Sequence, residues 1–166
     1  IQESMDYINN SKVIYMAPPD NTSNKDTRIE KFLHSVGGYK IIRFIYVSTS
    51  GVYGNCHGEV VVEKKMVNPS TDRAKRRVDA EQQITKFCED RGIDLVILRV
   101  PGIYGKNRLP MKRIDASEPL IIEEQSRVTN LIHVEDLSRI AIRALNINID
   151  GTEIVNVSDG TAIKTT

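Results

Sequence analysis

Residues 45–54, Ile-Tyr-Val-Ser-Thr-Ser-Gly-Val-Tyr-Gly, constrain the fold of this chain more than any other stretch. The segment 41–47 is rich in β-branched and aromatic residues, which is typical of a central strand buried on both faces. Three hydroxyl residues, 48–50, end the strand, and Gly51 and Gly54 allow a sharp turn. Because ligands bind at the carboxyl ends of strands in open α/β sheets, the hydroxyl cluster is a candidate binding site. An ordinary strand followed by a Ser/Gly turn is the alternative interpretation.

Length and composition indicate one globular domain. The chain has 166 residues, of which 40% are hydrophobic and 27% charged, enough to form a core. The net charge of +1 argues against a dedicated nucleic-acid binder, because phosphate contacts usually need a basic surplus. No apolar run approaches the roughly 18 residues of a membrane span, and no signal peptide is expected. The two cysteines, Cys56 and Cys88, offer no disulfide framework and no metal site, which favours a reducing cytoplasm.

Segments with strand and helix patterns alternate along the chain. The predicted strands cover residues 12–17, 41–47, 93–99, 120–122, 130–132 and 153–157. The predicted helices cover residues 24–36, 71–91, 110–114 and 135–146, and residues 55–70 are predicted to be a loop. In the first helix, apolar residues recur from Ile29 to Val36 at i, i+3, i+4 and i+7, the pattern of one buried face. The alternation predicts βαβ units and a largely parallel α/β sheet.

Capping signals flank the predicted helices. Asn24 or Asp26 is expected to begin the first helix, and Ser70 or Thr71 the second. Gly92 is expected to end the second helix, because glycine accepts the left-handed conformation at a helix end. These signals make the second helix the longest of the predicted elements.

Five segments, in this order and spacing, resemble the extended short-chain dehydrogenase/reductases, the NAD-dependent epimerase/dehydratase family. They are Tyr15-Met16-Ala17, residues 47–54, Ala80-Glu81-Gln82, residues 98–105 and residues 131–137. Together they span about residues 12–160. The resemblance implies a Rossmann-like, doubly wound α/β fold that binds NAD or NADP. It also implies an oxidoreductase or epimerase activity on a nucleotide-sugar or a similar polar metabolite.

The family pattern begins with a glycine-rich strand–turn–helix that holds the dinucleotide pyrophosphate, and this sequence contains no such fingerprint. Residue 1 matches a point just before the family's fourth strand. Residues 156–160 match the point where the family continues into its substrate lobe. Residues 1–166 are therefore expected to form one incomplete NAD(P)-binding domain, the middle of a larger protein or a truncated form of it.

The second departure concerns the catalytic pair of the family, a Tyr and a Lys four residues later on the long helix. The matching positions here are Arg73 and Arg77. Arg73 cannot perform the proton transfer of the tyrosine, because an arginine keeps its proton. Arg77 can supply positive charge and hydrogen-bond donors to a ribose or phosphate. Thr49 matches the family's Ser/Thr that binds the substrate oxygen, so the resemblance implies Thr49, Arg73 and Arg77 as the catalytic residues of an atypical member.

The resemblance also implies a set of residues that line the cofactor. These residues are Ala17, Pro18, Ser48, Arg77, Pro101 and Gly102. Tyr53 and Tyr104 are conceivable substitutes for the missing proton donor, but their places in the family are structural. No metal ligand set is predicted.

Several simpler interpretations remain open. Residues 73–77 are also consistent with a solvated basic turn in which Arg77 pairs with Glu81, or with a phosphate or carboxylate clamp formed by the two arginines. The neighbouring Cys56 and His57 suggest a nucleophile and base, although adjacent residues rarely face each other. His133 is expected to anchor the start of a helix.

Three functional hypotheses follow. The first is the NAD(P)-dependent enzyme; the second is a catalytically inactive protein of the same fold that binds a dinucleotide or a partner. The third, a nucleic-acid or structural role, rests only on the basic residues 73–77. The resemblance further implies a homodimer through the helices near 24–36 and 71–91, with Phe87 as a test position in the interface.

Overall fold

The computed structural model describes residues 6–21, 23–106 and 128–164. The strands are β1 (Ser11–Tyr15), β2 (Ile41–Thr49), β3 (Asp94–Val100), β4 (Gly102–Tyr104), β5 (Val128–His133), β6 (Thr152–Asn156) and β7 (Ala162–Lys164). The helices are α1 (Thr27–Val36), α2 (Asp72–Glu89) and α3 (Val134–Ala144), with short 3-10 helices at Asp6–Ile8 and Ser50–Tyr53. The predicted helix at 110–114 and strand at 120–122 lie outside the described residues.

Four strands form a parallel sheet in the order β1-β2-β3-β6. Ile45 lies at its centre, between Ile14 of β1 and Val96 of β3. The prediction of a parallel α/β fold is confirmed. Since all four strands point the same way, their carboxyl ends meet at one edge of the sheet, which is where open α/β sheets bind ligands.

Helices cover both faces of this sheet, because β2 and β3 carry apolar side chains on both sides. On one face, α1 and α2 pack on Phe44, Tyr46, Leu95 and Ile97. On the other, α3 packs on Ile45, Val47, Val96 and Leu98. Each such side chain stabilises the fold by about 1.5–3 kcal/mol when it leaves water. The central strand is fixed by these two cores, and it holds the hydroxyl residues at its end in place.

A second, smaller sheet was not predicted. β4 pairs in parallel with β5, so that Gly102 lies opposite Leu131 and Tyr104 opposite His133, and β7 pairs antiparallel with β5. Residues 101–105 contain Pro101, Gly102 and Gly105, which are typical of a turn and not of a strand. A strand of three residues is too short to show a period-2 pattern, so only pairing with β5 defines it.

The helix starts agree with the capping signals. The Asp26 carboxylate accepts hydrogen bonds from the N–H groups of Arg28 and Ile29 and caps α1. Thr71 caps α2 through the N–H of Ala74. His133 caps α3, with Nδ1 accepting from the N–H of Glu135, which confirms its predicted anchoring role.

Only one of the two glycines after β2 is required by the turn. Gly54 has φ +72°, and a Cβ there would lie 2.1 Å from the carbonyl oxygen of Asn68. A Cβ at Gly51 would make only ordinary contacts with Thr49. The sharp exit therefore depends on Gly54, which lets the loop at residues 55–70 fold back against the end of β2.

Two kinds of feature are not found within residues 6–21, 23–106 and 128–164. No helix there is both long enough and apolar enough to cross a membrane. No group of three or more His, Cys, Asp or Glu side chains is placed to hold a metal ion.

Candidate functional site

A cavity of about 520 Å³ opens at the carboxyl edge of the four-stranded sheet. Within the described residues, three short segments line it: the end of β2, the start of α2, and the start of β4 with the residue before it. The lining residues are Thr49, Ser50, Gly51, Thr71, Arg73, Ala74, Pro101, Gly102 and Ile103. Its volume lies in the range typical of pockets for small molecules, roughly 300–1,000 Å³.

The side-chain hydroxyls of this cavity are placed to donate hydrogen bonds. The Thr49 oxygen accepts from the N–H of Gly51 at 3.2 Å, and the Thr71 oxygen accepts from the N–H of Ala74 at 3.2 Å. Each hydroxyl therefore has its proton left for a ligand. Ser50 adds a third hydroxyl to the same wall.

Arg73 gives the cavity a positive charge. Its side chain is exposed, and it forms no ion pair or hydrogen bond with another described residue. Neighbouring Asp72 is paired with Lys75, at 3.2 Å between the carboxylate oxygen and Nζ. No acidic side chain is among the lining residues within the described part of the chain. The start of α2 adds the partial positive charge of a helix amino terminus, so the cavity favours an anion.

Arg77, one helical turn later, has a different environment. It is 7% exposed, and its Nη1 donates to the Tyr46 hydroxyl at 2.9 Å and to the Val47 carbonyl at 3.2 Å. The Ala17 carbonyl is a third, longer contact at 3.4 Å. Arg77 therefore ties α2 to the ends of β1 and β2 and does not line the cavity. Burial raises the pKa of Tyr46 to about 12, which keeps this phenol neutral at physiological pH.

A second polar region is a set of hydrogen-bonded side chains that we call the buried network. It consists of Ser48, Glu81 and Arg99, together with Tyr53 and Asn156. The Arg99 guanidinium binds the Glu81 carboxylate through two nitrogens, with Nη2–Oε2 at 2.7 Å and Nε–Oε1 at 3.2 Å. The Ser48 hydroxyl donates to the same carboxylate at 2.5 Å. All three residues are at most 6% exposed. The predicted pairing of Arg77 with Glu81 is wrong, because Glu81 is already engaged by Arg99.

Tyr53 and Asn156 complete the buried network. The Tyr53 hydroxyl accepts from Arg99 Nη1 at 2.9 Å and donates to the side-chain oxygen of Asn156 at 2.8 Å. The Asn156 amide reaches the loop, donating to the Val61 carbonyl at 3.1 Å. The Asn156 N–H, at 2.9 Å from the Glu63 carboxylate, lowers the pKa of that side chain. Tyr53 has both hydrogen-bonding functions of its hydroxyl occupied, as a structural tyrosine does.

A further polar cluster lies between α1 and α2 and was missed. The N–H of Asp26 donates to the Asp79 carboxylate at 2.8 Å, and Gln83 donates to the same oxygen at 2.6 Å. The second carboxylate oxygen of Asp26 and the Tyr15 hydroxyl are buried with no hydrogen-bond partner among the described residues. Burial raises the pKa of Asp26 and that of Tyr15. Sequence spacing gives no sign of this cluster, because its members come from separate elements.

Cys56 does not pair with His57. The Cys56 thiol lies 3.7 Å from the Tyr53 carbonyl and 3.9 Å from the Gly54 carbonyl. His57 is exposed and has φ 51°, and its backbone N–H is bound by the Asn55 side chain. The charged side chain that interacts with the thiol is that of Lys65, not His57.

The structure divides the predicted site residues into three groups. Four of them line the cavity: Thr49, Arg73, Pro101 and Gly102. Ala17 and Arg77 meet beside it at the ends of β1 and β2, and the carbonyl of exposed Pro18 accepts from Arg28 at 2.8 Å. Ser48 lies in the buried network. Their roles towards a ligand remain predictions. The other lining residues were not among the predicted site residues, although the hydroxyl run 48–50 pointed to the first of them: Ser50, Gly51, Thr71, Ala74 and Ile103.

The parallel sheet, covered by helices on both faces and open at its carboxyl edge, defines this chain as a Rossmann-like α/β protein. The sequence profile of the NAD dependent epimerase/dehydratase family matches residues 15–158, and the chain belongs to this family. The resemblance noted in the sequence is thereby confirmed over most of its length.

Curated relatives agree with this assignment. The chain is 24% identical over 155 residues to the dTDP-D-glucose 4,6-dehydratase of Dictyostelium discoideum. This alignment covers 82% of this chain and 35% of the relative. It is 23% identical over 139 residues to the dTDP-glucose 4,6-dehydratase of Streptomyces niveus, and this alignment covers 79% of this chain and 41% of the relative. The chain therefore spans less than half the length of these two relatives.

Solved structures share the fold. MoeE5 in complex with UDP-glucuronic acid and NAD matches with a TM-score of 0.81 at 21% identity, over 96% of this chain and 60% of that protein. The UDP-glucuronic acid 4-epimerase of Bacillus cereus, in complex with UDP-glucuronic acid and NAD, matches with a TM-score of 0.73 at 23% identity, over 87% and 48%. Identities this low establish the fold alone.

Proposed function

We propose that this chain is part of an enzyme that converts a nucleotide-sugar with NAD or NADP as its cofactor. The cavity that brings Thr49 and Arg73 together carries the proposal. Both residues stand where the family resemblance places substrate-binding and catalytic groups. The relatives named above are nucleotide-sugar dehydratases, and the two similar structures hold a UDP-sugar together with NAD.

The residues at this edge of the sheet suit the nicotinamide end of such a cofactor. Pro101 and Gly102 form an uncharged wall of the cavity, and Ala17 and Pro18 follow β1 at the same edge. When bound, the cofactor would supply hydride transfer. The pyrophosphate end needs a glycine-rich turn, and the sequence contains none. The proposal therefore assigns only the nicotinamide end to these residues.

Thr49 and Arg73 would act on the sugar. The Thr49 hydroxyl has its proton left to donate, so it can hold an oxygen of the substrate. Arg73 can stabilise negative charge that develops on that oxygen, but it keeps its proton at every physiological pH. Proton transfer must then involve another group, such as a substrate hydroxyl or water.

Turnover tests the proposal. The protein would be incubated with NAD or NADP and a panel of UDP- and dTDP-sugars, and the products followed by liquid chromatography with mass spectrometry. We expect conversion of at least one sugar, and a loss of about 10²-fold or more in Thr49→Val, which keeps the shape but removes the donor. The exposed variant Lys75→Gln is the matched control. Cofactor binding without conversion would favour the inactive binding protein, and no binding of either ligand would overturn the proposal.

A homodimer through α1 and α2 is a further part of the proposal. Phe87 is 8% exposed and belongs to the core, so Phe87→Asp would unfold the domain and cannot test an interface. A shallow groove on the outer side of the two helices combines polar residues such as Glu30 and Gln82 with apolar surface of Leu33 and Phe87. A second copy of the chain would pack against this mixed surface. Sedimentation equilibrium of wild type and Gln82→Arg tests it: an unchanged association constant would exclude this face.

We propose the cytoplasm as the location of the protein. Both cysteines are free thiols, Cys56 half-buried and Cys88 buried, which suits a reducing compartment. Microscopy of a fluorescent fusion of the natural protein tests this, and a signal confined to the secretory pathway would contradict it.

A further inference from the structure

We propose that the buried Asp26 carboxyl binds a proton in the folded protein, and that this proton holds together the place where three elements meet. These elements are the start of α1 at Asp26, α2 at Asp79 and the end of β1 at Tyr15, and we call their meeting point the junction. None of the three residues lines the cavity, so the proposal is independent of the proposed function. It makes the junction sensitive to pH.

The hydrogen bonds of Asp26 use only one of its two carboxyl oxygens. Oδ1 accepts from the N–H groups of Arg28 and Ile29, both at 3.1 Å, and so caps α1. The backbone N–H of Asp26 donates to the Asp79 carboxylate on α2 at 2.8 Å. Asp26 is 0% exposed, and a polar atom at such depth normally has a hydrogen-bond partner.

The second carboxyl oxygen, Oδ2, has no such partner among the described residues. The Tyr15 hydroxyl is also buried, and it donates to no described residue. An ionised carboxylate can only accept hydrogen bonds, whereas a protonated oxygen is itself a donor. Since no donor of the described chain serves Oδ2, this oxygen is the atom that takes the proton.

Charged and titratable groups from every element packed against Asp26 face it. They are Tyr15 of β1, Asp20 of the segment after β1, Arg28 of α1, Tyr46 of β2, and Arg77 and Asp79 of α2. Neither arginine forms an ion pair with Asp26: Arg77 donates to Tyr46, and the Arg28 side chain donates to the Pro18 carbonyl. A negative charge on Asp26 would therefore be buried without a direct counter-ion, which is costly.

Burial has the largest influence on the Asp26 carboxyl. It raises the pKa, while the two capping N–H groups and the more distant Arg77 lower it to a smaller extent. In the unfolded chain the carboxyl has an ordinary pKa of about 3.9, so the folded protein keeps its proton to a higher pH. The stabilisation is complete below about pH 4 and is lost as the pH rises through the folded pKa.

The junction also fixes the segment that connects β1 to α1. The Thr27 hydroxyl binds the Asp20 carboxylate, and Arg76 of α2 donates to the Ser23 carbonyl at 3.1 Å. Asp26 lies where this segment enters α1. Loss of the proton therefore weakens the anchoring of both the segment and the first turn of α1.

A direct titration of Asp26 tests the proposal. The natural protein would be labelled with carbon-13 at its aspartate carboxyl carbons, and the Asp26 signal, assigned through the backbone, would be followed by NMR. We expect its midpoint to lie above the ordinary value of about 3.9. A midpoint at or below that value would mean that the capped carboxylate is ionised in the fold, and it would overturn the proposal.

The variant Asp26→Asn gives a second, independent test. It keeps the oxygen that caps α1 and puts an NH₂ donor in place of the protonated oxygen. In urea denaturation at a series of pH values, wild type should lose stability relative to Asp26→Asn as the pH rises, and at pH 7 the variant should be at least as stable. The exposed variant Asp150→Asn should follow wild type.

The opposite result has a clear meaning. If Asp26→Asn is less stable than wild type at pH 7 while circular dichroism shows the same fold, the fold prefers the ionised carboxylate, and the proposal fails. If the variant does not fold, the same conclusion holds, because the asparagine reproduces the hydrogen-bonding pattern of the neutral acid. The NMR titration needs only wild type, so it decides the protonation of Asp26 in either case.

Discussion

Ser48 and Thr49 are consecutive residues at the end of β2, yet they belong to polar regions of opposite character. Ser48 lies in the buried network, where Glu81, Arg99 and Tyr53 satisfy one another with short hydrogen bonds. Thr49 faces the cavity, where the hydroxyl proton and the guanidinium of Arg73 have no partner in the described chain. The comparison shows that the hydrogen bonding of a polar side chain distinguishes residues that support the fold from residues that can bind a ligand. Polar groups that complete each other hold the fold, and those left unsatisfied are available to a ligand.

The largest expected effect comes from breaking the buried network at its ion pair. Glu81→Ala leaves Arg99 charged and buried without its partner, which should lower the free energy of unfolding by about 3–5 kcal/mol. Urea denaturation measures it, with the exposed Glu89→Ala on the same helix as control. A loss below about 1 kcal/mol would mean that water reaches Arg99 and that the network is not a closed scaffold.

An intermediate effect is expected at high pH from Tyr46, the partner of Arg77. Its pKa is about 12 in the fold, above the ordinary value near 10, because burial disfavours the phenolate. The unfolded chain therefore ionises first, so this stabilisation is complete below about pH 10 and is lost as the pH rises towards 12. The loss should be on the order of 2 kcal/mol. Tyr46→Phe should lack this component in urea titrations across that range; identical pH profiles for the two proteins would disprove it.

A smaller effect separates the two tyrosines that could have replaced the missing proton donor. Tyr53→Phe removes a hydroxyl that binds both Arg99 and Asn156, and we expect a loss of about 1–2 kcal/mol in unfolding free energy. Tyr104→Phe is the matched control, since its ring contacts His133 and its hydroxyl makes no hydrogen bond with the described residues. If both variants lost the same unfolding free energy, the hydrogen bonds of the Tyr53 hydroxyl would not contribute to stability.

The smallest effect on stability is expected at Arg73. Because its side chain is exposed and forms no ion pair with a described residue, Arg73→Gln should change the unfolding free energy by less than about 0.5 kcal/mol. Urea denaturation measures the change. A large loss of stability would mean that Arg73, like Glu81, supports the fold.

Much of the fold could be predicted because its signals are local. Asp26 and Thr71 are capping residues directly before amphipathic segments, and β2 and β3 are continuous apolar runs of strand length. By contrast, β4 was not predicted, because its three residues carry no strand pattern and are extended only through their pairing with β5. The prediction therefore succeeded where neighbours in sequence decide the conformation and failed where a distant strand decides it.

The candidate site was predictable in part. The family resemblance placed Thr49, Arg73, Pro101 and Gly102 correctly at one cavity. It could not distinguish Arg73 from Arg77, because a spacing of four puts both on one side of the helix. Their burial differs. Arg77 is buried and donates to Tyr46 and Val47 at the strand ends, whereas Arg73 is exposed and lines the cavity. That difference depends on where α2 crosses the sheet.

By itself the sequence determined the parallel α/β fold, the ends of α1 and α2 and the hydroxyl cluster after β2, because each is written in adjacent residues and regular spacings. The tertiary structure alone decided which polar residues are satisfied. Glu81 and Arg99 are 18 positions apart, and Tyr53 and Asn156 are 103 apart. Whether such groups meet depends on the packing of α2 and β6 against β3, and that packing leaves Arg73 at the cavity without an ion pair to any residue that the structure describes.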